Sequence, residues 1–168
     1  MSNNAYTVVL TDSQEVKTVQ CDPDREIFDT ARDIIGCDWI EIVEPETLAN
    51  ENLVFLIDEE GKLGTGSKFL NCIASHQYET EKHGDPIVGT ALIVKAGEEE
   101  LTLLTENESN AIRNRMLELR GNAIDSIADS FGLLPAAKRR NEIRQAIKFG
   151  NTVDAIRRQP CGNIETER

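Results

Sequence analysis

Leu53-Val-Phe-Leu-Ile57 is an unbroken apolar run, closed by the turn Asp58-Glu-Glu-Gly61. Such a run is expected of a central strand, because a strand covered on both faces has no polar side to alternate with. Ile87-Val-Gly-Thr-Ala-Leu-Ile-Val94 is a second strong strand, in which Gly89 marks a bulge or a close approach. Interior strands need flanking partners. Tyr6-Thr-Val-Val-Leu10 and Val16-Lys-Thr-Val-Gln20, joined by a short polar link, read as a hairpin. Trp39-Ile-Glu-Ile-Val43 reads as another strand, broken by Glu44-Pro-Glu46. Asp22 and Pro23 form a helix-start signal, Ile27, Phe28, Ala31, Ile34 and Ile35 recur at helical spacing, and Gly36 suits the helix end.

The expected fold class is therefore α+β: a small mixed or mainly antiparallel sheet, with helix 24–35 packed on a face and a helical segment following. Val54, Leu56, Ile87, Leu92 and Val94 are expected in the core. Trp39 is expected to bury its indole against the Ile34/Ile35 end of the helix. Between the strong strands, 62–67 reads as a Gly-rich loop, 69–74 as a short helix and 79–86 as a polar loop. Glu98, Glu99 and Glu100 stand at a turn that can open a helical region through Leu101, Leu103 and Leu104. From Ser109 onward Ile112, Met116, Leu119, Ala123, Ile124 and Ile127 share one helix face, interrupted by Gly121. Helices are also expected over 136–149 and 152–158. The domain reading is an acidic α/β part, 1–108, a basic helical part, 109–160, and a tail, 161–168.

Charge sharpens that division. The 168 residues carry a net −12, unevenly spread. Residues 1–110 hold 23 acids and 7 Lys/Arg, or −16, and residues 111–168 hold 7 acids and 11 Lys/Arg, or +4. Asymmetry of this kind concerns partners rather than fold. The acidic part should repel nucleic acid and attract basic surfaces. No apolar run is long enough to span a bilayer, and residues 1–6 lack the features of a secretory signal, so a cytoplasmic, soluble protein is expected.

The chemical motifs are weak. Gly61 and Gly66 have the spacing of a phosphate loop, but Ser67 stands where the lysine belongs, Lys68 is one residue late, and three acids precede the loop. Cys21, Cys37, Cys72 and Cys161 have no short paired spacing and read as reduced, partly buried thiols. Cys72, His76 and His83 share a short stretch without a fourth ligand, so no metal and no cofactor are expected. Ser75-His76 lacks a nucleophile elbow. The carboxylate runs read as solvated turns. No catalytic set emerges, and the chain is expected not to be an enzyme. Ile127-Ala-Asp-Ser-Phe-Gly-Leu133 has the small residue and turn glycine of a helix-turn-helix, and Lys138, Arg139, Arg140, Arg144 and Lys148 decorate the helix that would follow. Pro135 and Lys138 fit that motif poorly, so a plain helical hairpin or a protein-docking surface stands beside DNA contact.

The strands at Val8-Val-Leu10 and 39–43, with Leu53-Val-Phe-Leu-Ile-Asp-Glu-Glu-Gly-Lys62 and Asp85-Pro-Ile-Val-Gly-Thr-Ala-Leu-Ile-Val94, resemble an uncharacterised family. That family, domain of unknown function 3846, occurs in bacteriophages, plasmids and conjugative elements. The resemblance covers about residues 6–96 and implies a mobile-element origin, without catalytic residues. Two function classes follow as expectations. One is a non-enzymatic binder of a basic protein surface, most concretely an acidic inhibitor of a CRISPR effector or restriction nuclease. Asp58, Glu59, Glu60 and Glu98, Glu99, Glu100 are its expected contacts, and the C-terminal helices add affinity or form a homodimer. The other is a DNA-binding regulator that uses Lys138, Arg139, Arg140, Arg144 and Lys148.

Overall fold

The computed structural model describes residues 3–63 and 68–132. The expected helices 136–149 and 152–158, with the five basic residues between 138 and 148, lie outside the described residues. Strands β1 (Ala5–Leu10), β2 (Val16–Cys21), β3 (Ile40–Val43), β4 (Leu53–Asp58), β5 (Ala91–Ala96) and β6 (Leu101–Thr102) form one antiparallel sheet. The order is β2-β1-β5-β4-β3, with β6 paired to β5. All six residues of β4 are buried, which is the physical content of its unbroken apolar run. Val54, Leu56, Ile87, Leu92 and Val94 are core residues, as expected.

Helix α1 (Ile27–Ile35) packs Ala31 and Ile35 against Val9, Val54, Leu56, Leu92 and Val94 on one face of the sheet. It starts later than expected because Glu26, not Asp22, supplies the cap: its carboxylate accepts the N–H groups of Phe28 and Asp29. The opposite face is covered by α2 (Cys72–Gln77), the short α3 (Thr80–His83) and the 25-residue α4 (Glu106–Ser130). Phe55, Val8, Leu10, Ile93, Ile73, Met116 and Ala123 form that core. The region 79–86, expected as loop, thus contains one helical turn.

Helix α4 begins at Thr105 with a reciprocal capping box to Glu108 and continues through Gly121. Burial of Ile112 and Met116 before the glycine, and of Ala123, Ile124 and Ile127 after it, outweighs the roughly 1 kcal/mol a mid-helix glycine costs relative to alanine. The boundary expected at 108/109 falls inside the first turn of this helix, which packs on β1, β2 and α2.

Three expectations are corrected. Residues 98–104 are not helical. Gly97 N–H bonds Glu100 O, and the chain returns as β6. Extending the β1–β5 register would set Tyr6 opposite Lys95, but Lys95 pairs with Thr102 and Tyr6 with Leu104. Residues 101–104 are therefore wedged between the parting strands. Leu101 and Leu103 join the α1 core while Leu104 joins the other, a period of two rather than 3.6. Trp39 is the second correction, being 62% exposed. Alternation along β3 turns Ile40, not Trp39, toward the α1 core. Trp39 is left on the edge strand facing away from α1, which meets this edge through Ile40 and through Arg32 Nε donating to Asp38 O. The strand expected from Ile87 begins at Ala91, and Val88 makes only an isolated bridge to Leu70.

Candidate functional site

The described residues hold 26 acids and 10 Lys/Arg, a net −16. Eight of those ten cations, Lys17, Arg25, Arg32, Lys62, Lys68, Lys82, Lys95 and Arg115, are already held in ion pairs. Much of the excess negative charge is thus carried by exposed carboxylates, among them Asp38, Glu41, Glu44, Glu59, Glu60, Glu98, Glu99 and Glu100.

The two expected acidic clusters differ in how they are held. Glu59 and Glu60 are exposed beyond the end of β4, but Asp58 is only 9% exposed. Asp58 Oδ2 accepts from Lys68 Nζ at 2.6 Å, and its other oxygen accepts the Glu60 N–H at 2.9 Å. Asp58 is consequently an internal tie rather than a contact residue, a correction to the expected surface cluster. The Lys68 of the phosphate-loop reading is its partner, and 64–67 lie outside the described residues. Glu98, Glu99 and Glu100 are all exposed, on the β5–β6 turn. The register places the two clusters at opposite ends of β4, a span of about 17 Å for five strand steps.

Beside the Glu98–Glu100 cluster, at the start of α1, opens a groove of about 820 Å³. Its apolar wall is Ile27, Phe28, Ile42, Leu101 and Leu103, and Glu26, Glu98, Glu99 and Glu100 stand along it with Arg25. The groove exists because nine residues of α1 cannot cover the sheet's full length. The free edge of β3 adjoins it through Ile42, which is 44% exposed. Asp38, Glu41, Glu44, Glu59 and Glu60 flank that edge, all exposed and none ion-paired among the described residues.

The other face holds polar chemistry of a structural kind. Asn71, fully buried, donates to Leu10 O and Gly89 O and accepts the Ala74 N–H as the cap of α2. Gln14, in a left-handed conformation at φ 68°, donates to Leu70 O and accepts from Cys72 N–H. Ser75 Oγ is spent on the backbone of Ile87. His76 Nδ1 and Ser126 Oγ both lie 2.5 Å from Glu81 Oε2, tying α2, α3 and α4 together. Burial raises the Glu81 carboxyl, but hydrogen bonds from Ser126 and His76 outweigh it and hold the group below its ordinary value. This set has a triad's residue types wired differently: the carboxylate, not the imidazole, is central, and Ser126 donates to Glu81 rather than to His76. Cys72 is buried, and that burial, with the Glu81 charge, pushes its thiol up to about 12. His83 lies against Tyr78. Among the described residues, no group of three or more His, Cys, Asp or Glu could hold a metal, and no helix is long and apolar enough to cross a membrane. The buried Asn71 and Gln14, and the Glu81 tie, escape a sequence reading because their partners are brought in by the fold; only the cap position of Asn71 before an apolar stretch offers a local signal.

An antiparallel sheet with one long helix on one face and a short, acid-rimmed groove on the other defines a small acidic α+β domain. The chain belongs to the family described as domain of unknown function (DUF3846), whose sequence model matches residues 6–118. The match covers the sheet from its second residue, Tyr6, and reaches into α4, farther than the resemblance over 6–96, and leaves the chain after 118 outside it. No curated protein and no solved structure matches the chain.

Proposed function

We propose that this protein is a non-enzymatic binder that lays its acidic α+β body on a Lys/Arg-lined surface of a nucleic-acid-handling protein. Its most concrete form is an inhibitor of a CRISPR effector or restriction nuclease. The observation that carries this reading is the net −16 of the described residues with eight of ten cations already paired. Channels that hold nucleic acid are lined with cations to meet phosphates, and a folded surface with unneutralised carboxylates competes for the same cations. The internal wiring of Ser75 and Ser126 supports the non-enzymatic part, since neither hydroxyl is hydrogen-bonded to a histidine: Ser75 is held by the Ile87 backbone and Ser126 by Glu81. A mobile-element setting, which the family resemblance implies, suits such an inhibitor.

The test is a DNA-cleavage assay with purified CRISPR effectors and restriction nucleases, run with and without excess full-length protein. Inhibition of at least one enzyme is expected, weakened by added salt and by joint replacement of Glu98, Glu99 and Glu100 with Gln, because surface charges are screened beyond about 10 Å at 0.1 M salt. Inhibition of none, or a gel shift showing that the protein itself holds duplex DNA, overturns the reading; a shift abolished by neutralising Arg139, Arg140 and Arg144 establishes the DNA-binding alternative.

A further inference from the structure

The outer edge of β3 has an open hydrogen-bonding row. Glu59 N–H bonds Trp39 O at 3.0 Å, in the same register that pairs Glu41 with Ile57 and Val43 with Phe55. Antiparallel pairs alternate between hydrogen-bonded and non-bonded, so the backbone groups of residues 39, 41 and 43 turn inward to β4 and those of Ile40 and Ile42 turn outward. The β4–β5 ladder agrees: Ala96 N–H bonds Asn52 O, which leaves the odd-numbered residues of β4 for β3. The outward groups of Ile40 and Ile42 have no backbone partner among the described residues, and β3 ends the sheet. Beside them stand two exposed apolar side chains, Trp39 and Ile42, and five unpaired carboxylates, Asp38, Glu41, Glu44, Glu59 and Glu60.

We propose that this edge accepts an extended, Lys/Arg-rich segment of a partner protein as an added strand. The inference rests on the reading of the protein as a binder of a basic surface, and names the mode of binding. An open edge is ordinarily a hazard, blunted by shortness and by charge. Here the strand is four residues long and the charge is of one sign. That charge turns away the same acidic edge of a second copy and draws in a basic segment. Main-chain bonds to Ile40 and Ile42 then supply affinity, and the carboxylates select alternate cationic side chains. Apolar side chains of the incoming strand on the α1 face meet Ile42 and the mouth of the groove. The other sheet edge, β2, carries Lys17 near its start, paired with Glu15, and lacks the exposed apolar pair.

The probe is a short synthetic peptide alternating Arg with Val, alongside the same peptide N-methylated on alternate amides. Trp39, the single tryptophan, reports from the edge itself. Binding should shift its emission to the blue and slow amide exchange at Ile40 and Ile42. Ile42→Pro removes an N–H that faces away from the sheet, a place where an edge strand tolerates proline, so the fold should survive. This variant, and independently the N-methylated peptide on the unaltered protein, should weaken binding at least about tenfold. No binding of the unmethylated peptide at low salt overturns the proposal. Equal binding by Ile42→Pro and by the N-methylated peptide also overturns it, and leaves the cationic-surface reading intact as charge attraction alone. A concentration-dependent dimer in sedimentation that Ile42→Pro abolishes overturns it in favour of a second copy at this edge. Failure of the nuclease assay with peptide pairing intact would instead remove the inhibitor reading and keep the edge.

Discussion

On one face of the sheet, the 25-residue α4 and the capped α2 enclose Phe55, Ile93, Met116 and Ile73 without leaving any of them exposed. On the other, nine residues of α1 cover Val9, Val54, Leu56, Leu92 and Val94 but stop short of Ile42 and the β5–β6 turn. The same strands feed both faces, residue by residue in alternation. What differs is the length of helix laid over each. The closed face buries its apolar side chains and stabilises the molecule; the open face keeps apolar area and carboxylates together at the surface. A split of this kind predicts that stability and binding respond to different residues.

The largest effect should come from the closed face. Met116→Ala removes a fully buried side chain facing the sheet and should cost about 2–5 kcal/mol in urea denaturation. Ile42→Ala at the open face should cost less than about 1 kcal/mol, because nearly half of that side chain is in water already. Equal losses at the two positions would break the comparison and make the groove part of the core.

Asn71→Ala should come next, at roughly 2–3 kcal/mol by the same measurement. It removes the cap of α2 and leaves two carbonyls, of Leu10 and Gly89, without their donor. Asn71→Asp keeps the acceptor for Ala74 but presents a carboxylate to those same two carbonyls, so it should be no better tolerated. A mild effect from either change would mean that water enters the closed face.

These two sites differ in how far local pattern announces them. The β4 strand was legible because burial on both faces leaves a contiguous apolar run, and the face of α4 because Ile112, Met116, Ala123 and Ile127 repeat at helical spacing. Leu101, Leu103 and Leu104 misled because three leucines in four residues fit a helix as well as a strand, and only the wedge between β1 and β5 decides. Trp39 misled because its burial depends on which strand is the edge, a property of the whole sheet. Asp58 looked like its neighbours in a solvated turn; the Lys68 contact that internalises it crosses a loop. Within the candidate site, the carboxylates were visible as composition, while the groove and the orientation of the β3 backbone arise only from register.

The smallest effect expected is a pH dependence confined to the closed face. Glu81 is held below its ordinary value of 4.5 when folded, by Ser126 and His76. A depressed carboxyl stabilises the fold at any pH above its unfolded value, and that contribution drains away as pH falls through the lower, folded value. The unaltered protein should therefore lose melting temperature on acidification below about pH 4.5, where the unfolded state takes up the proton more readily. Glu81→Gln should lower the melting temperature near neutrality and narrow its gap to the unaltered protein as pH drops. Some slope should remain in the variant, because Glu108 is also held low, by Lys95 and the Thr105 backbone, at the cap of α4. A gap that stays constant down to pH 3 would mean that Glu81 acts by packing and not by charge. A gap that widens on acidification would reverse the sign and place the proton on Glu81 in the folded state. Neither result would touch the open face, so peptide binding at β3 measured in the same variant at neutral pH should be unchanged, which tests directly whether the two faces are independent.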